Sequence, residues 1–574
     1  MGEYQYSPYA HVIESHLIPD TIQYGVFHHL TGYIIEPNER IRALLFASRM
    51  GHHISFADDD LNKLPADGRQ IRKLIEQRFL IPVGCDPLAS FLDYFVVRPV
   101  QNPALAYRDR RGEVKLVRTS MTQRIYSPRK GELPAIVEES MPSAPASVFL
   151  EADGTKTLRE LFELAGLDDD AGRRETIDFL TSPKRQLIKL TADASDLADP
   201  YQPCNTVPRN FYHASRWNPG PKSDAPPIVD FHVRGIEDAS WEFDLIEPTI
   251  NHAFRFSSEA LGGLDYGARF CVATLKPEVL PSLVYSRRLE ILEVGGGTGS
   301  FARSFMEQTR SLTSSREPLV INYEIMDLSP ALIRSQRETL AGVVPPVTHS
   351  QQDATSLDLP GRKFDLIIAN EVIADFPVAP VWRARHGATL EASQVWQGEG
   401  ACYVEKYGLD LIGAPDSFLV NAGVFRFIER AWEHLSPGGA VIMSEYGSVD
   451  RFPAQSYHLN HEEFSIHFGH LQACARAIGF ACRLLKLKEF LGVDDRVSML
   501  DGQEEQIQCL NYVFQKHGVS LPYALISRKE FKQRFGLLAE RIGLAGVSFS
   551  PLRSGFHFGP KIDEFMILII TRPR

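Results

Sequence analysis

The chain has 574 residues, of which 44% are hydrophobic, 23% charged and 10% aromatic. At roughly 150 residues per domain this length holds about four folding units. Ordinary glycine and proline contents (41 and 37 residues) exclude collagen-like, low-complexity and largely disordered chains. A formal charge of −11 excludes broad, charge-driven nucleic-acid binding, because neutralising phosphates takes a basic surface.

Seven cysteines (Cys85, Cys204, Cys271, Cys402, Cys474, Cys482 and Cys509) lie far apart, with no CxxC pair. An odd, dispersed set reads as reduced thiols and not as a disulfide framework or zinc cluster. Met1-Gly2-Glu3-Tyr4-Gln5 carries neither the basic nor the apolar region of a signal peptide. The apolar run Phe565 to Ile570 is six residues long, against the ~20 that a bilayer span needs. A cytoplasmic location and no membrane partner are expected.

The first hundred residues alternate β-like runs with a pair of helices. Tyr24 to Leu30 and Gly32 to Ile35 read as strands joined at Thr31-Gly32. Asn38 is placed to cap a helix running to Met50, and a second helix over Asp67 to Phe79 leads into the strand Leu80-Ile81-Pro82. This order predicts a winged-helix-like α+β module over 1–97. The stretch "HHLTGYIIEPNERIRALL … IRKLIEQRFLIP" resembles the PqqD-like peptide-recognition domains, which implies a leader peptide as a partner of this module.

A second small α+β module is expected over 98–196. "ALAYRDRRGEVKLVR" reads as a hairpin turning at Arg111-Gly112, Thr157 to Glu160 fits a capping box, and "TIDFLTSPKRQLIKL" reads as a helix and a strand. Seven prolines between Pro200 and Pro227 then forbid long helices, so 197–240 is expected to be an extended connector to a domain at 241–574.

In that domain "LEILEVGGGTGSFARSFMEQ" places an apolar run before Gly295, Gly297 and Gly299, with a helical stretch from Ser300. Strand, glycine turn and helix together make a nucleotide-binding motif credible, whereas the glycines alone would not. The next strand ends on Asp327, which is placed to accept two hydrogen bonds from a ribose diol. Glu293 suits a ligand that carries an ammonium group, and Asp353 follows where an acid would meet adenine. This order predicts a class I methyltransferase, an α/β fold with a Rossmann-like sheet covered by helices on both faces, and S-adenosylmethionine as cofactor. A dinucleotide-binding domain is the alternative.

The blocks "ILEVGGGTGSFARSFM", "YEIMDLSPALIRSQRETL", "LIIANEVIADFPV" and "IMSEYGS" resemble the MidA-like family, which includes a protein arginine methyltransferase of complex I assembly. Ser329, Leu332 and Gln336 keep that family's spacing, Asn370, Glu371, Asp375, Pro377 and Val378 match its loop, and Tyr446-Gly447 its later turn. Gly296 stands where the family has proline, and Glu445 where it has aspartate. The resemblance runs over about 245–510. It implies methyl transfer to a protein or peptide side chain, arginine nitrogen first.

Two carboxylates gripping a guanidinium would localise its charge and aim one nitrogen at the methyl group. Glu371 and Asp375 are the expected pair, with Asn370 orienting Glu371 or touching the cofactor. Glu259 is a third candidate acid for the substrate, and the resemblance places His467 among the catalytic residues. His458, His461, His467 and His470 lie close in sequence, but no metal is expected. A small-molecule methyltransferase and a non-catalytic cofactor-binding assembly factor are the competing readings. A terminal hairpin turning at Gly559-Pro560 is expected to close the sheet.

Overall fold

The computed structural model describes residues 2–18, 21–35, 38–49, 54–56, 65–98, 104–119, 136–182, 185–192, 249–284, 286, 288–313, 319–383, 396–457, 462–501, 504–522, 524–554 and 562–574. The proline-rich connector over 197–240, the Gly559-Pro560 turn, His458 and His461 lie outside the described residues.

The N-terminal residues form two three-stranded antiparallel sheets. One orders Ile54–Phe56, Gly2–Tyr6 and Leu80–Pro82, and the other Ala10–Ile18, Thr21–His28 and Ile34–Ile35. The two strands at the front, over residues 2–18, are elements that propensity did not single out. Asn38 caps the helix Glu39–Arg49, its Oδ1 accepting the Ile41 N–H at 2.9 Å. Tyr9 and Leu30 are buried with Phe149, Leu158 and Leu180, so the first hundred residues share a core with the helices that follow.

The hairpin Ala104–Arg108 and Val114–Thr119 forms, with Gly112 at φ +82° and Asp109 Oδ1 accepting the N–H groups of Arg111 and Glu113. The capping box is present too: Thr157 N–H donates to Glu160 Oε2 at 2.7 Å, and Glu160 N–H to Thr157 Oγ1 at 3.3 Å. The hairpin does not stand apart from the C-terminal domain. Leu105, Tyr107 and Val117 bury into the cluster that holds Phe270, Leu289 and Leu510. Ala106 exchanges both backbone hydrogen bonds with Ala545, at 3.0 and 2.8 Å.

In the C-terminal domain we number the strands along the main path of the large sheet β1 (Arg288–Val294), β2 (Val320–Asp327), β3 (Thr348–Gln351), β4 (Phe364–Asn370), β5 (Leu435–Ser448), β6 (Ala481–Lys486) and β7 (Phe565–Thr571), with the short strand Ile466–His467 pairing off that path with β5. Their spatial order is β3-β2-β1-β4-β5-β7-β6. Strands β1 to β5 are parallel, and β7 runs antiparallel to both β5 and β6. Ile291, Leu292, Leu366, Ile367 and Ile368 are fully buried, as expected of parallel strands covered on both faces. The domain's longer helices are α1 (Tyr266–Thr274), α2 (Ser300–Thr313), α3 (Pro330–Thr339), α4 (Ala422–His434), α5 (Phe468–Ile478), α6 (Glu504–Gln515) and α7 (Arg528–Arg541). A seven-stranded order with one antiparallel strand inserted between its last two parallel neighbours is the class I methyltransferase fold.

Two local expectations are corrected. β7 is not half of a terminal hairpin: the preceding strand Phe549–Pro551 pairs with Ser498–Leu500, while β7 inserts between β5 and β6. Burying both of its edges satisfies its backbone better than a two-stranded ribbon would. Tyr446-Gly447 is not a turn but lies inside β5, where Gly447 pairs with Ile466. A Cβ on Gly447 would stand 2.2 Å from the Ile466 carbonyl oxygen, so its glycine admits a neighbouring strand.

Candidate active site

The order of strands reverses between β1 and β4, and ligands of open α/β sheets sit at the carboxyl ends of strands at such a point. A cavity of about 250 Å³ lies there. Strand β1 delivers Glu293 into the turn Gly295–Gly299, with Gly295 N–H bonded to the Met326 carbonyl at 2.9 Å. A Cβ on Gly295 would lie 2.5 Å from Val372 Cγ2, one on Gly296 2.6 Å from Ile325 Cγ2, and one on Gly299 3.1 Å from Gln336 Cα. These glycines are packing requirements. Gly297, which lines the cavity as Gly295 and Gly296 do, differs in that at φ +51° its Cβ would meet nothing within 4 Å. Gly299 does not line it, and holds the turn against α3.

The acids at the strand ends converge on the same space. Glu293 lines the cavity yet is only 2% exposed, and burial pushes its carboxyl up to about 8 while the Tyr323 hydroxyl donates to it at 3.1 Å. Asp327 is held on both oxygens: Oδ1 accepts the Ser329 N–H at 2.9 Å and Oδ2 the Gln336 amide at 2.7 Å. The same Gln336 nitrogen donates to the Gly297 carbonyl at 3.0 Å, so one side chain joins Asp327 to the glycine turn. Ser329 caps α3 and Pro330 follows at its first position, which sets Gln336 two turns along. Asp353 lies at the exposed end, its Oδ1 accepting from the Thr355 N–H and hydroxyl, both at 2.8 Å.

Beyond β4 the loop brings Asn370, Glu371 and Asp375 onto the cavity wall. Asp375 ends a single 3₁₀ turn, Ile373–Asp375. Glu371 stands at φ +53°, a conformation that costs a non-glycine residue about 1 kcal/mol or more. Its backbone N–H donates to Ser444 at 2.9 Å. Its carboxylate accepts the Ile250 N–H at 2.7 Å, the Asn251 N–H at 3.3 Å and the Asn370 amide at 3.3 Å. Burial pushes this carboxyl up to about 7 against the pull of those donors. Glu371 thus caps a helical turn, but that of Ile250–Ala253, far upstream and not the one that follows it. Behind it Glu445 is 3% exposed and held well above the carboxylate range by burial and by the charges of Glu463 and Glu371.

Two expected site residues lie elsewhere. Glu259 does not line the cavity; it is exposed in a surface groove with Lys529 at 3.8 Å, and its backbone N–H donates to Glu530. The segment carrying it turns outward at Gly262 and Gly263, both at positive φ. His467 also stays out of the cavity. It caps α5, its Nδ1 accepting the His470 N–H at 3.2 Å, and stacks on the His470 ring at 3.5 Å. Burial first, then His470, lowers it to about 4, so it is a neutral structural cap. Among the described residues no group of three or more histidine, cysteine or acidic side chains is arranged for a metal, and no helix is long and apolar enough to cross a membrane.

Several residues of the site went unread. Thr249, Asn251, His252 and Arg255 line the cavity from the segment around Ile250–Ala253. Thr249 after Pro248 is an N-cap signal that marks this turn, its side chain accepting the His252 N–H at 3.0 Å. Tyr266 and Ser444 contact Asn370 from behind, at positions that local pattern assigns to the core.

A family model described as "Putative S-adenosyl-L-methionine-dependent methyltransferase" matches residues 268–448, the part that holds β1 to β5 and most of the residues lining the cavity. That stretch of the C-terminal domain is similar to the S-adenosylmethionine-dependent methyltransferases. A curated relative, the release factor glutamine methyltransferase of Koribacter versatilis (strain Ellin345), is 27% identical over 158 residues, which are 27% of this chain. The match spans 46% of that relative's length, about half. Among solved structures, a Burkholderia thailandensis protein bound to S-adenosyl-homocysteine is 16% identical, with 56% of this chain and 82% of that one covered at a TM-score of 0.31. An S-adenosylmethionine-dependent methyltransferase from Clostridium acetobutylicum is 10% identical, with 55% and 94% covered at 0.26.

The residues present fit that cofactor. The bare face of Gly297 leaves room for it, buried Glu293 matches its ammonium, and Asp327, steered by Ser329 and Gln336, keeps lone pairs for its ribose.

Proposed function

We propose that the protein transfers a methyl group to a side-chain nitrogen of a protein or peptide, arginine first. The observation that carries this reading is the presence of two carboxylates, Glu371 and Asp375, on one wall of the cofactor cavity. S-adenosylmethionine, when bound, supplies an electrophilic methyl group. The chain's own residues have to hold and aim the acceptor. Glu371 and Asp375 pair with a guanidinium and localise its charge on the nitrogens they face, which leaves another nitrogen to attack the methyl group. Glu371, with its carboxyl near 7, ionises in the neutral range and takes the proton that the acceptor gives up. The turn at Ile250–Ala253 covers this end and keeps water out. Three resemblances support a protein acceptor: the MidA-like blocks, the PqqD-like pattern of the N-terminal module as a holder of leader peptide, and a curated relative named for a release factor glutamine. A cytoplasmic setting belongs to the same reading.

One observation favours a small-molecule acceptor instead. The Glu371 carboxylate is already engaged by Ile250 and Asn251, so a bulky acceptor has to displace that turn while a small amine need not. Labelled S-adenosylmethionine offered with a peptide panel, a cell lysate and a panel of small amines decides between the two. Label mapped by mass spectrometry to polypeptide arginine is the expected result. Label confined to the small amines overturns the protein acceptor.

A further inference from the structure

Asn370 is clamped on three sides. Tyr266, fully buried at the start of α1, donates its hydroxyl to Asn370 Oδ1 at 2.6 Å. Ser444, fully buried and level with Asn370 across the β4–β5 pair, donates to the same oxygen at 2.7 Å. The amide nitrogen is thereby turned to Glu371 Oε1, at 3.3 Å. The reverse orientation would set Oδ1 against the carboxylate, two acceptors face to face, so the amide has one stable setting.

The clamp is anchored well beyond the loop. Asp265 caps α1 by accepting the Ala268 N–H at 2.9 Å, and Tyr266 N–H donates to the Phe254 carbonyl at 2.9 Å, at the end of the turn that covers the cavity. Phe270 and Phe301 flank the tyrosine ring, each at 6.0 Å between centroids. Phenylalanine would fill that apolar site equally well. What the tyrosine adds is a buried hydroxyl, and a buried hydroxyl is worth keeping only where it is bonded.

We propose that Tyr266 and Ser444 are positioning residues for methyl transfer, acting through Asn370 to aim the Glu371 carboxylate into the cavity. The proposal rests on the methyltransferase reading above. It assigns neither residue a contact with the acceptor or the methyl group. The groups that face Glu371 are the N–H groups of Ile250 and Asn251, the Asn370 amide, the Tyr266 hydroxyl, and the carboxyls of Glu463 and Glu445, with Asp375, Glu293, Asp327, His252 and Arg255 lining the same cavity.

The test uses the full chain with Tyr266→Phe, Ser444→Ala and the double variant. Each single change is expected to lower kcat about tenfold and the double about a hundredfold, as for one and two lost hydrogen bonds. The acceptor KM and the affinity for S-adenosylhomocysteine should stay within about twofold, and the midpoint of the pH–rate profile should move. Folded variants whose kcat stays within about twofold of wild type overturn the proposal. So does a parallel fall of kcat, S-adenosylhomocysteine affinity and Tm, which marks a structural role. If Tyr266→Phe does not fold, Ser444→Ala decides alone. A wild-type protein that binds S-adenosylhomocysteine but methylates no acceptor sinks the methyltransferase reading and not this clamp. The clamp is then judged on the titration of the Glu371 carboxyl itself, followed by infrared difference against Glu371→Gln from about pH 5 to pH 9: a displaced midpoint in Tyr266→Phe supports it, and an unchanged one overturns it.

Discussion

The carboxylate of Glu371 accepts the backbone N–H of Ile250 at 2.7 Å across 121 residues of sequence. It ties the loop after β4 to the turn that covers the cavity. The same turn is joined to the start of α2, where the Asn251 amide donates to Ser300 Oγ at 3.1 Å. The group best placed to handle an acceptor therefore also holds the cover.

Glu371→Gln separates these two tasks. Glutamine keeps a carbonyl oxygen for the Ile250 N–H but cannot take a proton. Transfer should fall by about 10² or more, the scale of a lost general base, while S-adenosylhomocysteine binding measured by calorimetry stays close to wild type. Equal loss of both would mean that Glu371 serves only the cover.

The glycine turn predicts two different outcomes for one type of change. Gly295→Ala and Gly299→Ala should each cost roughly 1–3 kcal/mol of stability from left-handed backbone plus contact with Val372 or Gln336. Gly297→Ala meets no neighbour, so it should cost about 1 kcal/mol in Tm experiments. Its methyl group would project toward the cavity, so it should nonetheless weaken S-adenosylhomocysteine binding the most. Equal binding losses at all three would contradict the assignment of Gly297 as the cradle.

Asp327→Asn should weaken S-adenosylhomocysteine about 10- to 100-fold, since charged hydrogen bonds contribute about 1.5–3 kcal/mol. Gln336→Ala should lower the affinity less, because it frees Asp327 to rotate without removing its charge. A larger effect at Gln336 than at Asp327 would reverse these roles.

Burial raises Glu293 to about 8 and Glu371 to about 7, above their unfolded value of 4.5. Between the unfolded and folded values the unfolded chain has lost these protons and the folded chain keeps them. Stability of the ligand-free protein should therefore fall as pH rises from about 5 to about 8. An ammonium group bound at Glu293 favours the ionised carboxylate, so S-adenosylhomocysteine binding near neutral pH should release up to about one proton. Calorimetry in buffers of different ionisation enthalpy measures this, and Glu293→Gln should abolish it.

Leu105→Ala tests whether the hairpin belongs to the catalytic domain's core. Leu105 is fully buried in that domain's cluster, two residues before Tyr107, which meets the ion pair of Lys516 and Glu138. The change should cost about 2–5 kcal/mol and lower the temperature at which S-adenosylhomocysteine binding is lost. An unaltered binding domain would show that the hairpin unfolds separately.

The sequence by itself determined what neighbours along the chain can decide. The apolar run into Gly295, the cap at Ser329 with Pro330, the capping box at Thr157 and Glu160, and the order of Glu293, Asp327 and Asp353 are all local patterns. Parallel strands place each strand's end at one edge of the sheet, so residues at those ends meet whatever lies between them. This is why the acids around the cavity were legible. Their partners were not: Gln336 showed as a spacing, and its bonds to both Asp327 and Gly297 follow from how closely Gly299 lets α3 approach.

Only the tertiary structure decided which further side chains join that edge. Glu259 and His467 have the chemistry of site residues, but one faces a surface groove and the other caps α5. Tyr266, Ser444 and Asn251 have the pattern of core or helix residues and stand around Asn370 and Glu371. Periodicity assigns a residue to a face; it does not state what packs against that face from a hundred residues away. Ile250 and Glu371 meet because β4 ends beneath a turn whose first amides need an acceptor, a match made by the assembled sheet and its cover.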